Sequence, residues 1–251
     1  MEDQSLCGRY EYQVNSYFTD LKKQLSLPAL FYLLQESAFI HAERHNFGWD
    51  ALSENNFFWA LSRIKVQIGD YPLWKDSIFV ETWAKVPDNV MAYRDFEIYS
   101  PNGKKILSAT SAWLILNMET RKPQRIALMK DKFPAPYNRI ALDIRLGKLP
   151  QHKILTNDYA MNTVPYSAID VNGHVNNTLY IQWVIDSFPI DYILNHDVYD
   201  IEINYLQEAM ASQQYYVIIE KLIPDEYLCS VVRHPDNKEL SRMMLKFREK
   251  M

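Results

Sequence analysis

The two halves of this sequence repeat the same order of elements, and that repeat limits the folds the chain can adopt. Residues 14–20 precede a helical pattern much as residues 164–170 do. In each half, runs rich in β-branched and aromatic residues follow, and such runs are typical of strands. They lie near residues 57–69, 76–87, 91–100 and 104–117, and near 200–209, 213–223, 226–234 and 239–248. The chain is therefore expected to build one strand, helix and multistrand arrangement twice.

The helix predicted in each half carries apolar residues over much of its circumference. In the first half, Ser26 and Pro28 are helix start signals, and the pattern ends by Gly48. In the second half, the helix is predicted from about Asn177 to Phe188. A helix with so little polar surface suits burial by a curved antiparallel sheet. These patterns predict an α+β fold.

A basic, proline-containing segment separates the halves. We predict an N-terminal domain over residues 1–128, a linker over 129–157 and a C-terminal domain over 158–251. Between residues 121 and 153, nine lysines and arginines stand against two aspartates, a balance of +7 in a chain of net charge −4. Such asymmetry steers an acidic macromolecule to one region. A solvated connector is the plainer alternative, and sparse aromatic residues argue against a nucleic-acid site.

The composition excludes several classes of function. Only six glycines occur, and no two are closer than 21 positions, so no phosphate-binding loop or dinucleotide fingerprint exists and no cofactor is expected. His41 and His45 have helical spacing but lack the HExxH order, so no metal site is predicted. No apolar run is long enough to cross a bilayer. The distant Cys7 and Cys229 and the absence of a secretion signal predict reduced thiols and a cytoplasmic protein.

A dense polar run precedes the second helix. Residues 170–177 read Asp-Val-Asn-Gly-His-Val-Asn-Asn, with one acid, one imidazole and several amides around one glycine. A helix start offers unpaired N–H groups and partial positive charge, which stabilise an anion. A helix cap needs only one such residue, so this run is interpreted as a catalytic centre.

This run and several others resemble the acyl-acyl-carrier-protein thioesterases, plant and bacterial enzymes that release fatty acids from their carrier. Asp170, Asn172 and His174 match the family's D-x-N-x-H run, and Glu208 lies where the family carries a catalytic glutamate. The likeness extends to residues 34–38, 59–68, 71–76, 81–83 and 117–121. The resemblance implies two tandem hot-dog domains, each a curved antiparallel sheet around a long central helix, with thioester hydrolysis in fatty acid biosynthesis.

One departure from the family changes the expected chemistry. Ala209 stands where plant members carry cysteine, so activated water is the expected attacker. Either Glu208 or Asp170 would take a proton from that water, and His174 would shuttle it to the leaving thiol. Asn172 would donate to the thioester oxygen.

Further contacts follow from the same resemblance. Backbone N–H groups around Val175 and Asn176 would assist at the thioester oxygen. The first half lacks an Asn-x-His run, so one catalytic site per chain is expected, and its aromatic residues would line the acyl cavity. Those candidates are Phe31, Phe39, Phe57, Phe58 and Trp59, and for each of them core packing is the alternative.

The carrier is the expected partner, because acyl-carrier proteins are acidic and the linker is basic. Its docking candidates are Lys130, Lys132, Lys148 and Lys153. Three other functions stay open at this point: a thioesterase acting on coenzyme A esters, a hot-dog dehydratase and a non-catalytic acyl-binding module. Whether two chains form a homodimer also stays open, because the internal repeat already completes one paired unit within a single chain.

Overall fold

The computed structural model describes residues 6–129, 137–152 and 159–250, which belong to two compact units that divide between Leu146 and Gly147. Within these ranges, no helix has both the length and the apolar character needed to span a membrane.

Unit 1 consists of a long helix and an antiparallel sheet. Its elements are β1 (Cys7–Gln13), a 3-10 turn (Ser16–Phe18), α1 (Leu27–Arg44), α2 (Trp49–Ser53), β2 (Phe57–Ile68), β3 (Ser77–Ala84), β4 (Met91–Tyr99), β5 (Lys105–Asn117) and a second 3-10 turn (Ile126–Met129). The strands pair in the order β1-β3-β4-β5-β2.

Helix α1 starts where the sequence predicts. The Ser26 hydroxyl accepts a hydrogen bond from the Ala29 N–H at 3.4 Å, and Pro28 lies in the first turn, where its missing N–H costs nothing. The buried face of α1 packs against β3 and β1, and it includes Leu30, Phe31, Leu33, Leu34 and Ala38. Burial of this face stabilises the unit by removing apolar surface from water.

Residues 137–141 contact β3 and β4 of unit 1 rather than forming a solvated connector. The Arg139 guanidinium donates to Glu81 Oε2 at 2.7 Å and also to Glu97. The backbone carbonyl of Arg139 accepts from the Trp83 indole N–H at 2.7 Å. The predicted linker is therefore partly built into the domain that precedes it. The charge of Arg139 is neutralised internally, so Arg139 does not add to a docking surface.

Replacing Arg139 with methionine should lower the free energy of unfolding of unit 1 by roughly 2 kcal/mol, because two largely buried carboxylates lose a charged donor. Burial alone would raise the pKa of Glu97, but hydrogen bonds from Tyr99, Lys105 and Arg139 hold it below its ordinary value. This stabilisation is therefore present at neutral pH and disappears as the pH falls through the lowered pKa.

Urea denaturation of the wild type and the variant at neutral and acidic pH measures this effect. The exposed Arg145 of the same segment provides the control, and Arg145→Met should change stability by less than about 0.5 kcal/mol. Equal destabilisation by the two substitutions would contradict the role given to Arg139.

Unit 2 repeats this arrangement. Its elements are β6 (Asn162–Thr163), a 3-10 turn (Tyr166–Ala168), α3 (Asn177–Asp186), α4 (Ile190–Asn195), β7 (His196–Tyr205), β8 (Gln214–Ile223), β9 (Glu226–His234) and β10 (Lys238–Glu249). The strands pair antiparallel in the order β6-β8-β9-β10-β7, which matches unit 1 strand for strand. The predicted α+β class is confirmed.

The end of the second helix differs from the prediction. Pro189 stops α3 as expected, but it also occupies the cap position of the short helix α4, where proline is well tolerated. Strand β7 follows α4 directly and ends at Tyr205, earlier than the predicted run of 200–209. Glu208 therefore lies in a loop and not in a strand.

The first residues of unit 2 lie against its own sheet. The Leu149 carbonyl accepts from Arg242 Nη1 at 2.9 Å. The His152 ring lies between Glu220 Oε2, at 3.0 Å from Nδ1, and Ser230 Oγ, at 2.8 Å from Nε2. These buried polar contacts attach the end of the predicted linker to β8, β9 and β10.

Candidate active site

The polar run before α3 forms a closed turn. The Asp170 N–H donates to the His174 carbonyl at 2.8 Å, and the Gly173 N–H donates back to the Asp170 carbonyl at 3.0 Å. The Asp170 carboxylate accepts from the Asn172 N–H at 2.8 Å. Gly173 has φ +78°, a conformation that glycine adopts without steric cost. The turn places the His174 side chain at the entrance to α3.

His174 and Glu208 form the central pair of this site. His174 Nε2 lies 3.4 Å from Glu208 Oε2. The histidine is 7% exposed, whereas the Glu208 side chain is 40% exposed. A shielded imidazole beside a solvent-accessible carboxylate can exchange a proton with bound water.

The two carboxylates of the site occupy different positions. Asp170 uses its carboxylate to close the turn, whereas Glu208 faces the imidazole. This geometry favours Glu208 over Asp170 as the proton acceptor. The Asn172 side chain is exposed, and among the described residues no hydrogen-bond partner of its carboxamide is found.

The expected backbone donors are already engaged. The Val175 N–H donates to the Ala209 carbonyl at 2.9 Å, and the Asn176 N–H donates to the Ala168 carbonyl at 2.9 Å. The Asn176 side chain caps α3 by accepting from the Thr178 N–H at 3.0 Å. Both N–H groups therefore hold the turn in place, and a contact of the N–H groups around Val175 and Asn176 with the thioester oxygen stays a prediction.

Unit 1 contains the same turn without the reactive side chains. The Asp20 N–H donates to the Gln24 carbonyl at 3.0 Å, and the Asp20 carboxylate accepts from the Lys22 N–H at 2.8 Å. Lys22 and Gln24 thus stand where unit 2 has Asn172 and His174. This difference agrees with the expectation of one catalytic site per chain.

The loop that carries the carboxylate is also duplicated. The Leu25 N–H donates to the Pro72 carbonyl at 2.7 Å, as the Val175 N–H does to Ala209. Tyr71, which precedes Pro72, therefore stands where unit 2 has Glu208.

Tyr180 in α3 was not singled out from the sequence. Its hydroxyl accepts a hydrogen bond from the Ala209 N–H at 3.1 Å, next to Glu208. The available signal was its place four residues after the Asn176 cap, which puts Tyr180 one helical turn from the site.

The five aromatic residues proposed to contact the acyl chain differ in burial and in the face on which they lie. Phe31 is fully buried in α1, but Phe39 is 51% exposed, so Phe39 does not line an interior cavity. Phe57 and Trp59 pack against the same buried cluster. Phe58 points to the opposite face of β2, because side chains alternate along a strand. The five residues therefore do not share one face or one degree of burial, and their contact with an acyl chain stays a prediction.

Among the docking candidates, Lys148 is exposed. Lys130, Lys132 and Lys153 lie outside the described residues.

His41, the first of the two helical histidines, is hydrogen-bonded within the protein through both ring nitrogens. His41 Nδ1 accepts from Arg94 Nη1 at 3.2 Å, and His41 Nε2 lies 3.2 Å from the Leu6 carbonyl. Burial, together with the positive charge of Arg94, lowers the pKa of His41 to about 3. A neutral ring with both nitrogens occupied fits the interpretation of His41 as an ordinary helix histidine.

Comparison with solved structures identifies the fold. An acyl-ACP thioesterase from Bacteroides thetaiotaomicron aligns with a TM-score of 0.84 and 25% identity, covering 99% of this chain and 100% of that one. The 12:0-ACP thioesterase from Umbellularia californica aligns with a TM-score of 0.83 and 23% identity, covering 98% of each chain. The prediction of a tandem hot-dog fold is confirmed.

Sequence comparison gives the same result. The Arabidopsis thaliana oleoyl-acyl carrier protein thioesterase 2 is 29% identical over 225 residues, covering 83% of this chain and 61% of its own length. The acyl-carrier-protein hydrolase FATB1 of Cuphea viscosissima is 25% identical over 216 residues, covering 81% of this chain and 52% of its own length. The chain thus spans between half and two thirds of these plant relatives.

Family models match both units in order. Residues 7–137 match the acyl-ACP thioesterase N-terminal domain, and residues 152–248 match the acyl-ACP thioesterase C-terminal domain. The D-x-N-x-H turn and Glu208 both fall within the second match. The chain belongs to the acyl-ACP thioesterase family.

Proposed function

We propose that this protein hydrolyses the thioester of acyl-acyl-carrier protein and releases a free fatty acid and the carrier thiol. The observation that carries the proposal is the pairing of His174 with Glu208 at 3.4 Å, at the start of a buried helix. A thioester carbonyl is already electrophilic, so an aligned base and a proton carrier suffice to activate water against it.

The proton path follows from this pairing. Glu208 accepts a proton from water while the water oxygen bonds to the thioester carbon, and the carbonyl oxygen becomes an oxyanion. The Asn172 carboxamide donates a hydrogen bond to that oxyanion. As the tetrahedral intermediate collapses and the carbon–sulfur bond breaks, His174 passes the proton from Glu208 to the departing sulfur.

The two cysteines support water as the attacker. Ala209 offers no thiol, and Cys229 is fully buried in β9. Burial, with added repulsion from Glu81, raises the pKa of Cys7 to about 11, so its reactive thiolate is scarce at neutral pH. Both thiols are free, which fits a reducing compartment, and we propose a cytoplasmic location.

Release of free thiol from acyl-carrier protein bearing tails of graded length tests this function. We expect thiol release that depends on tail length and is faster than release from matched coenzyme A esters. Faster hydrolysis of the coenzyme A esters would indicate that coenzyme A, and not acyl-carrier protein, carries the acyl chain of the substrate. A flat thiol signal with tightly retained acyl chain would indicate a non-catalytic acyl-binding module.

The domain roles form a second part of the proposal. Residues 1–128 would hold the acyl chain and residues 158–251 would supply the chemistry, joined by residues 129–157. The distribution of reactive side chains supports this division, because the unit 1 turn carries Lys22 and Gln24 in place of Asn172 and His174.

The basic segment is proposed to dock the acidic carrier. Its support is the excess of positive charge between residues 121 and 153, which includes the exposed Lys148. Hydrolysis of the carrier-bound substrate should therefore weaken as salt rises, while hydrolysis of a small neutral thioester hardly changes. Identical salt responses would contradict docking through this segment.

Charge reversal localises the effect. Lys148→Glu should raise KM for the carrier-bound substrate about two- to fivefold and leave the small thioester unaffected. Lys104→Glu, at an exposed lysine of unit 1, is the matched control. Combining Lys148→Glu with reversal of Lys130, Lys132 and Lys153 measures the whole set.

A further inference from the structure

We propose that Tyr180 is a positioning residue that fixes the loop carrying Glu208 against the His174 turn. The inference rests on the proposed function, in which Glu208 is the base. It assigns to Tyr180 no contact with the substrate, only an effect on hydrolysis through Glu208.

Ala209, the residue that follows Glu208, is held through both of its backbone polar groups. The Ala209 N–H donates to the Tyr180 hydroxyl at 3.1 Å, and the Ala209 carbonyl accepts from the Val175 N–H at 2.9 Å. Ala209 is 0% exposed, whereas the Glu208 side chain is 40% exposed and lies in a loop without regular secondary structure. The orientation of Glu208 therefore depends on the anchored residues on each side of it, which are Ala209 and also Gln207, whose N–H donates to the Leu240 carbonyl at 3.1 Å.

The Tyr180 side chain is itself held firmly. It is 2% exposed, and its ring makes edge contacts with Trp183 at 5.4 Å and Tyr205 at 6.1 Å between centroids. Burial, with added repulsion from Glu208, raises the pKa of Tyr180, so the hydroxyl stays protonated at neutral pH. A rigid, neutral acceptor is suited to fixing a backbone N–H group.

Unit 1 shows that the fold does not require this hydrogen bond. The backbone bond from Val175 to Ala209 has an equivalent there, from Leu25 to Pro72. Proline has no N–H to donate. At the position of Tyr180, four residues after the helix cap, unit 1 has Leu30, which has no hydroxyl. In the described parts of the two units, the tyrosine bond thus occurs only in the one that carries His174 and Glu208.

The test compares Tyr180→Phe with Tyr205→Phe. The Tyr205 hydroxyl donates to the Asn177 carbonyl at 3.2 Å, so Tyr205→Phe removes a half-buried hydroxyl beside α3 but keeps the ring that contacts Tyr180 and the hydrogen bond from Ala209 to Tyr180. We expect Tyr180→Phe to lower kcat about ten- to a hundredfold with KM within about twofold, because small misplacement of a catalytic group is costly. Tyr205→Phe should retain most of the activity.

Two further measurements separate positioning from general stability. In a Glu208→Gln background, Tyr180→Phe should cause no additional loss, because residues that act through one group are non-additive. Hydrogen exchange of the Ala209 amide should accelerate in Tyr180→Phe and not in Tyr205→Phe. The proposal would be overturned by any of three results for Tyr180→Phe: an unchanged kcat, an equal loss of kcat in the wild-type and Glu208→Gln backgrounds, or an unchanged rate of Ala209 amide exchange.

A second variant covers a failure of Tyr180→Phe to fold. The double substitution Tyr180→Leu with Ala209→Pro copies the pair that unit 1 carries in a folded domain. Low kcat in this folded protein supports the proposal, and wild-type kcat overturns it. If the wild type releases no thiol from any thioester, the proposed function fails, and Ala209 exchange still tests the role of Tyr180.

Discussion

Replacing Glu208 with glutamine is expected to lower kcat for thioester hydrolysis by about a hundred- to a thousandfold. Glutamine keeps the shape of the side chain but cannot accept a proton from water. The Glu208 side chain is 40% exposed and lies in a loop, so the melting temperature should hardly change. Steady-state release of the carrier thiol, measured with thermal unfolding of the same preparations, checks the expectation.

Two companion variants make this result specific. Glu226→Gln alters a partly buried carboxylate paired with Lys246 and should leave kcat near the wild-type value. Asp170→Asn weakens the turn that closes on the Asn172 N–H, so it should lower stability and reduce kcat less than Glu208→Gln. A folded Asp170→Asn protein with the greater loss of kcat would move the role of base to Asp170.

Replacing His174 with glutamine is expected to reduce kcat by about a thousandfold, because the path that returns the proton to the sulfur is removed. The fold should survive, since unit 1 already holds a buried glutamine, Gln24, at the same place in an equivalent turn. This precedent makes glutamine a better replacement than alanine, which would leave a cavity beside α3.

The readout is a single-turnover assay for free thiol, which separates the chemical step from product release. His196→Gln is the matched control, because His196 lies in the same unit and its Nδ1 donates to the Tyr192 carbonyl at 2.9 Å. Near-normal turnover by folded His174→Gln would refute the proposed proton path.

The overall architecture could be predicted because its signals are local and occur twice. Ser26 and Pro28 mark the start of α1, and the repeated strand pattern gives the order of elements in both units. The short helix α4 was missed because Pro189 is a stop signal and a start signal at once. Sequence alone does not decide between these two roles.

The residues of the candidate site could be proposed from the sequence, but their hydrogen-bond partners could not. His174, Asn172 and Asp170 lie in one short run, and the resemblance to the family pointed to Glu208. The Val175 N–H is bonded to the Ala209 carbonyl, which belongs to a loop more than thirty residues later in the sequence. No local sequence pattern predicts such a contact.

The pairing of charges in the predicted linker could not be predicted from the sequence either. Arg139 looks like one more solvated charge in a basic segment, yet its guanidinium is paired with Glu81 and Glu97. Those acids come from β3 and β4, so only the register of the sheet reveals the pairing. Charge counted along a sequence therefore overstates the charge available to a partner.

The presence of the same turn in both units has an evolutionary consequence. Each copy is closed by main-chain bonds and one aspartate, so mutations that abolish reactivity in one copy do not prevent its folding. Loss of reactivity in one copy therefore needs only side-chain substitutions. The reverse route begins with Lys22→Asn, Gln24→His and Tyr71→Glu on a backbone that is already in place.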